Sequence, residues 1–500
     1  MDFSRRWFIG GSLASLAFGG CRFFSAPAGT YSSGVPKMSF GVISDVHILY
    51  DAKGGIAKSH DTTTLEHTLA WFRDQGVDAV MIAGDIADKG IVEELQAVAD
   101  TWFKVFPDNK ASDGRHVEKV FVSGNHDMEG FKYGDFGKIA FPDPAERAKH
   151  LLATDFKANW RKIFHEDYSE IYSKCVKGYT FVGQHWGRQG WGDKCKFDLV
   201  KPFMEEKASK IVDPSLPFFY AQHPHPNNTC YGAFAWGRDT GVVTETLGKF
   251  PNAVAFSGHS HYSLLDERSI WQGSFTSIGT CSLRYTSQYR EELPSIGYEN
   301  TNGKSKRNLE KTMPKLNTMD SRQGLLVKVY GDCMVVLRRE FISDEYLGEE
   351  WVLPLSTAES RPFEFASRAK KSVAPEFPAG GKIRVAKVKA ENRKKVEKDS
   401  YAVSFPKADA PGAGRIYDYE IAVEHEDGTK AEKRYMISVN HNKGPKTAAK
   451  LPEFTFKIAC DSLSAKGKIR FAVYPRDCFC NKGKPLFSDW ICNGLVECAD

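Results

Sequence analysis

For its length of 500 residues the chain carries little net charge, +5 from 68 basic and 63 acidic residues. A dedicated nucleic-acid binder concentrates basic residues on one face, and no basic–aromatic tract appears here. Cys-x-x-Cys pairs are absent among the eleven cysteines, which argues against a thiolate zinc site. Internal repeats and low-complexity tracts are missing too. The apolar segment that reaches Gly20 is shorter than the ~20 residues a spanning helix needs. What remains is globular in composition, with 41% hydrophobic and 26% charged residues. The length exceeds one ordinary core and implies two domains, or one large domain with an appendage.

The N-terminus carries Ser4-Arg5-Arg6-Trp7-Phe8-Ile9 ahead of that apolar segment, in the manner of a signal peptide. The arginine pair resembles a twin-arginine export signal. Two endings compete. Gly19-Gly20-Cys21 resembles a lipoprotein cleavage site with Cys21 as the lipid anchor, and Ala26-Pro27-Ala28 fits ordinary cleavage. Either way the expectation is export, to the periplasm or as a membrane-anchored lipoprotein facing the periplasm or cell surface. Cys21 aside, ten cysteines remain, five of them (Cys460, Cys478, Cys480, Cys492, Cys498) near the C-terminus. An even number suits disulfides in an oxidising compartment.

Residues 1–37 therefore read as export signal and linker. Thr63 and Glu66 have capping-box spacing; Leu65, Leu69 and Phe72 then make a helical stripe that Gly76 stops. A second stripe follows in Val92, Leu95, Ala99, Trp102 and Phe106. Strands and helices alternate here, which implies a βαβ start with parallel strands. Gly324–Tyr330 and Met334–Leu337 form a hairpin around Gly331-Asp332, a late all-β half of the same domain, which is expected to span 38–355. Pro, Ala, Ser and Lys mark 356–381 as a linker. Beyond it, alternation at Tyr417, Tyr419, Ile421 and Val423 and at Ile469, Phe471 and Val473, with a hairpin signal at Asp427-Gly428, predicts a small β-sandwich over 382–500.

Five short apolar runs break into tight polar turns: at Asp45-Val46-His47, Gly84-Asp85, Gly124-Asn125-His126-Asp127, His223, and Gly258-His259-Ser260-His261. Such runs read as buried strands. If the strands share one sheet, their carboxyl ends gather the polar residues at one edge, where open α/β sheets bind ligands. Asp45, His47, Asp85, Asn125, His223, His259 and His261 then offer imidazole, carboxylate and amide donors, a mixture that suits Mn, Fe, Zn or Co. Two such ions about 3.5–4 Å apart can share a carboxylate and stabilise an in-line displacement at phosphorus. Each piece alone is ordinary, but all five in this order, each at a strand end, are specific.

The order Asp-x-His, Gly-Asp-x-x-Asp, Gly-Asn-His-Asp, His, Gly-His-x-His resembles that of the calcineurin-like metallophosphoesterase family. The resemblance implies an α/β (α+β) fold, a two-sheet β-sandwich flanked by helices, and a metal-dependent phosphoric ester hydrolase. It places one divalent ion (Mn, Fe, Zn or mixed) on Asp45, His47, Asp85 and His261. The other falls on Asp85, Asn125, His223 and His259, with Asp85 bridging. His126 would contact phosphoryl oxygens or protonate the leaving group, and Asp127 would steady its ring. Attack through a metal-bound hydroxide on phosphomonoesters or phosphodiesters is the chemistry implied. Asp88 stands where purple acid phosphatases carry tyrosine, which sets that branch aside.

Candidate substrate contacts are Arg188, His225, Tyr231, Trp236 and Arg238. Tyr231 and Trp236 could stack on a base or sugar, and Arg238 could hold a second phosphate; packing of a loop is the plain reading of all of them. The C-terminal region resembles immunoglobulin- or fibronectin-like modules, with a glycan or surface partner as its candidate ligand. A surface-binding protein that uses the phosphoesterase domain as a scaffold, or a nuclease, are the alternative readings.

Overall fold

Strand β1 (Met38–Ile43) is buried along its whole length, as a parallel strand covered on both faces must be. The computed structural model describes residues 34–493 apart from 52, 136–139, 188–196, 232–236, 287–320, 356–360, 392–395, 412–414, 430, 464–466 and 480. The export signal, Cys21, Arg188 and Trp236 thus lie outside the described residues.

β1 runs parallel to β2 (Ala79–Ala83), which runs parallel to β3 (Glu118–Val122). On its other side β1 pairs antiparallel with β10 (Gln323–Val329), and β10 with β11 (Cys333–Glu340), the expected hairpin. Strands β12 (Glu345–Tyr346) and β13 (Trp351–Pro354) both pair with β11 and complete this sheet. The second sheet has the order β4 (Ile171–Val176), β5 (Tyr179–Gln184), β6 (Phe218–Ala221), β7 (Ala253–Ser257), β9 (Thr276–Gly279), β8 (Ile270–Gln272). Its inner strands β5, β6, β7 and β9 are parallel.

The sheets close on one another through aromatic side chains. The Phe40 ring lies 4.7 Å from Phe219, 5.1 Å from Phe181 and 5.7 Å from Phe256, centroid to centroid, offset and edge-on as ring quadrupoles favour. The opposite face of the first sheet is covered by α1 (Thr63–Asp74) and α2 (Val92–Val105), whose Leu65, Leu69, Phe72, Leu95, Ala99 and Trp102 are buried as their spacing requires. The capping box does not form: Thr62 precedes α1 and no side chain caps it.

The C-terminal region is all-β. β14 (Arg384–Glu391), β15 (Glu397–Pro406) and β18 (Glu453–Ala459) make one sheet. β17 (Glu432–Ile437), β16 (Ile416–His425), β19 (Gly467–Asp477), β20 (Leu486–Phe487) and β21 (Ile491–Asn493) make the other. Tyr401, Phe405, Tyr419, Phe454 and Phe471 fill the space between them. The alternation in β16 is genuine, yet its polar face is buried as well, because Asp418 pairs with Arg476 at 2.5 Å.

The stretch read as a linker is not an open tether. Phe365–Lys371 is a helix whose Arg368 is buried against Glu267 at 2.5 Å. Of the described cysteines, Cys492 is disulfide-bonded and six are free thiols.

Candidate metal centre

Each candidate ligand sits two to four residues past the end of a strand. Asp45 and His47 follow β1, Asp85 follows β2, and Asn125 opens the short helix α3 (Asn125–Glu129) after β3. His223 follows β6, and His259 and His261 follow β7. The strands therefore belong to two sheets rather than the one expected, and the site forms where their carboxyl ends meet. Backbone bonds carry the loops past the sheet edges, Asp45 N–H to the Gly84 carbonyl at 2.9 Å and Gly258 N–H to the His223 carbonyl at 2.8 Å.

The turns are strained. Asp45, His47, Asp85, His259 and His261 all have φ between 49° and 66°, left-handed values that cost a non-glycine residue about 1–3 kcal/mol each and cluster at functional sites. Motif glycines make room for the ligands. A Cβ on Gly84 would meet the His223 ring, and one on Gly124 the Asp85 carboxylate.

Three groupings of buried or half-buried donor atoms result, each within 4.8 Å: Asp45, His47 and His261; His47, Asp85 and His126; Asp85, His223 and His259. Asp45 Oδ1 lies 2.9 Å from His261 Nε2, and Asp85 Oδ2 lies 3.0 Å from His223 Nε2. His47 Nε2 stands 3.3 Å from His261 Nε2 and 3.8 Å from Asp85 Oδ2, between the groupings.

Outer hydrogen bonds fix the tautomers. The Nδ1 atoms of His47, His223 and His261 meet the Asp88 carboxylate (2.9 Å), the Ala83 carbonyl (2.8 Å) and the Tyr285 carbonyl (3.0 Å). These oxygens accept, so each Nδ1 donates and each Nε2 lone pair is left for the interior, as in metal-ligating histidines. Asn125 supplies the strongest test of fit. Its Oδ1 is buried with no hydrogen-bond partner, a state that buried amides avoid unless a cation takes the oxygen. The donor set thus fits divalent metal.

Charge is arranged to match. Burial alone would raise the Asp45 carboxyl, but His261 and His223 outweigh it and hold it at about 2. Burial alone would lower His223, yet Asp85 and Asp45 raise it to about 9, so a metal ion would have to displace a proton from Nε2 there. Burial and the adjacent His223, 3.1 Å away, push His259 well down, toward the neutral form that ligates.

Asp127 plays a different part from the one expected. Its carboxylate accepts from the N–H groups of Ala87 and Gly124 (2.7 Å each) and Ile86 (3.2 Å), so it ties the Asp85 loop to the Asn125 loop. The His126 ring is instead steadied through Nδ1 by the Asp88 carbonyl at 2.7 Å, and the His126 backbone N–H donates to Asp85 Oδ1 at 2.8 Å. Asp88 therefore serves both His47 and His126. The sequence had displayed it only as the last residue of Gly-Asp-x-x-Asp, and nothing there marked Tyr285. Nε2 of His126 remains available to a substrate. Replacing His126 with alanine is expected to cut turnover by about 10²–10⁴-fold, the usual worth of a proton-transfer group, with bound metal unchanged. Steady-state kinetics beside metal analysis checks this, and loss of metal would make His126 a ligand instead.

The other candidates fare unevenly. His225 is buried between Ser257 Oγ and Ser260 Oγ, 2.8 Å from each, and burial drives it to about 3. It is a neutral strut beneath the His259 turn. Tyr231 is buried, with its hydroxyl on the Tyr262 carbonyl at 3.3 Å, so its ring offers no stacking face. Arg238 donates to Asn227 Oδ1 at 3.1 Å.

Residues 38–263 match the model of a family described as calcineurin-like phosphoesterase. No curated protein matches the chain. Among solved structures, a predicted phosphoesterase from Streptococcus pneumoniae aligns at 12% identity and TM-score 0.25, over 63% of this chain and 97% of its own. A purple acid phosphatase from yellow lupin seeds aligns at 12% identity and TM-score 0.35, over 65% and 55%. The zinc complex of Vps29 from Entamoeba histolytica aligns at 9% identity and TM-score 0.28, over 64% and 99%.

Proposed function

We propose that the chain, whose residues 38–263 match the calcineurin-like phosphoesterase family model, hydrolyses phosphate esters at a two-metal centre. The carrying observation is the pair of buried groupings, Asp45–His47–His261 and Asp85–His223–His259, with the orphaned Asn125 Oδ1. By this reading Asp45, His47, Asp85 and His261 hold one divalent ion, and Asp85, Asn125, His223 and His259 hold the second. Bound ions would supply Lewis-acid charge against the phosphoryl oxygens and lower the pKa of water.

The chain's own residues do the rest. Asp127 and Glu94 fix the loops: Glu94 accepts from the N–H groups of Tyr50 and Lys89 at 2.8 Å each, which joins the His47 loop to the Asp88 loop. Asp88 orients His47 and His126 together. His126, only partly covered and edge-on to His47 at 4.6 Å, is placed to exchange a proton with the leaving oxygen.

The test is metal content and hydrolysis measured together. Protein reconstituted with Mn(II), Zn(II) or Fe(II) should hold about two ions per chain and turn over a simple phosphomonoester or phosphodiester. Failure to bind metal and to hydrolyse either ester under all three ions would overturn the reading.

A further inference from the structure

We propose that Arg284, with Arg322 beside it, forms an anion subsite next to the metal centre that receives a second phosphate group of the substrate. The inference rests on the phosphoesterase reading and narrows its substrate to esters carrying two phosphates.

Arg284 lies in the segment after β9 that is bonded directly to the metal loops. Leu283 N–H donates to the Ser44 carbonyl at 2.9 Å, and Ser282 Oγ donates to the Asp45 carbonyl at 3.0 Å. The next residue, Tyr285, gives its carbonyl to His261 Nδ1 and sets its ring 4.2 Å from the His261 ring. The Arg284 backbone is thus pinned one residue from a group that touches a metal ligand.

Its side chain is not accounted for by the fold. Arg284 is only 2% exposed, yet Nε and Nη2 have no hydrogen-bond partner. Arg322, at the start of the segment leading into β10, donates to Thr64 Oγ1 but leaves its own Nε buried and unpartnered. The two cations are near enough to repel. Burial and Arg322 draw Arg284 down to about 10, so it stays charged at neutral pH. Asp61 and Asp88 lie within electrostatic reach without bonding it; Asp88 is engaged by His47 and by Lys89 at 3.2 Å.

Buried guanidinium groups without partners are costly, and a bound anion removes that cost. The planar fork of arginine suits two phosphate oxygens at once. The metal centre itself accounts for the scissile phosphoryl group, so cations set beside it select a further one.

The decisive experiment compares phenyl phosphate with 1,3-propanediol bisphosphate on the Mn(II)-loaded wild type, Arg284→Gln and Arg322→Gln. In Arg284→Gln the ratio of kcat/KM for the bisphosphate to that for phenyl phosphate should fall about tenfold to a hundredfold, the worth of a charge-assisted bond. A ratio that moves less than about twofold overturns the proposal. If the wild type hydrolyses neither ester, it is the phosphoesterase reading that fails. Calorimetric titration with the bisphosphate then decides: weaker binding in Arg284→Gln supports the subsite, and equal binding overturns it. Without ligand, Arg284→Gln should melt at or above the wild-type temperature because an unpaired cation has been removed. A fall beyond about 5 °C would reveal a structural partner and overturn the proposal.

Discussion

Alanine at position 85 is expected to abolish turnover and to strip away at least one of the two metal ions proposed for the site. Asp85 is the only carboxylate common to two of the donor groupings among the described residues, with Oδ2 3.0 Å from His223 Nε2 and 3.8 Å from His47 Nε2. Its other oxygen accepts the His126 N–H at 2.8 Å. One substitution therefore removes the carboxylate common to two groupings and frees the loop that carries His126. Loss of an outer partner alone costs metal sites about 10–100-fold, so loss of a bridging ligand should exceed about a hundredfold in kcat/KM. Asp85→Asn separates the two effects, since it keeps the side-chain volume and an acceptor for His126 N–H while discarding the charge. Metal analysis and kinetics on both variants check the expectation, and full activity in Asp85→Ala would refute the bridging role.

The second large effect is expected outside the candidate metal ligands, at Glu267. This buried carboxylate meets Arg338 at 2.9 Å, Arg368 at 2.5 Å and Arg415 at 3.6 Å, and it accepts the Trp351 indole N–H at 3.1 Å. Arg338 belongs to β11, Arg368 to the helix after β13 and Arg415 to the C-terminal sandwich, so three parts of the chain converge on one anion. Burial would raise the Glu267 carboxyl, but Arg338, Arg368 and Arg415 overrule it and hold it at about 2. Glu267→Gln leaves buried guanidinium groups unpaired and should cost about 3–5 kcal/mol of stability at pH 7.

The pH dependence has a definite sign. A depressed carboxyl stabilises the fold fully above its unfolded value of 4.5, and that contribution is lost as pH falls toward about 2. Denaturation curves of wild type and Glu267→Gln should therefore lie far apart at pH 7 and draw together between pH 4.5 and 2. A gap below about 1 kcal/mol at pH 7 would mean that the arginines find other partners.

Other contacts join the sandwich to the two-sheet region before it in the same polar manner. Glu345 accepts from Lys446 N–H at 2.6 Å, and Asn442 Nδ2 donates to Thr286 Oγ1 at 2.8 Å. The C-terminal module is thus docked beside the segment that carries Arg284 and Tyr285.

By itself the sequence determined the strand ends and the candidate ligands placed on them. Short apolar runs such as Val80–Ala83 read as buried strands and the polar turns after them as strand ends, so Asp45, His47, Asp85, Asn125, His223, His259 and His261 were legible as candidate ligands from local pattern. Helices α1 and α2 were legible for the same reason, since Leu65, Leu69 and Trp102 fall on one face at helical spacing. Tertiary structure decided what each polar atom meets. Asp127 adjoins His126 in sequence, yet its carboxylate is spent on the amides of residues 86, 87 and 124. His225 shares a motif with His223 but lies between two serines of another loop. Arg284 and Glu267 carry no local signal at all, because their surroundings come from residues such as Arg322, Arg368 and Arg415 that only the fold brings near. Periodicity records whether a side chain is buried, which is a local property; the partner of a buried charge is set by contacts between distant parts of the chain, and those exist only once the sheets have closed.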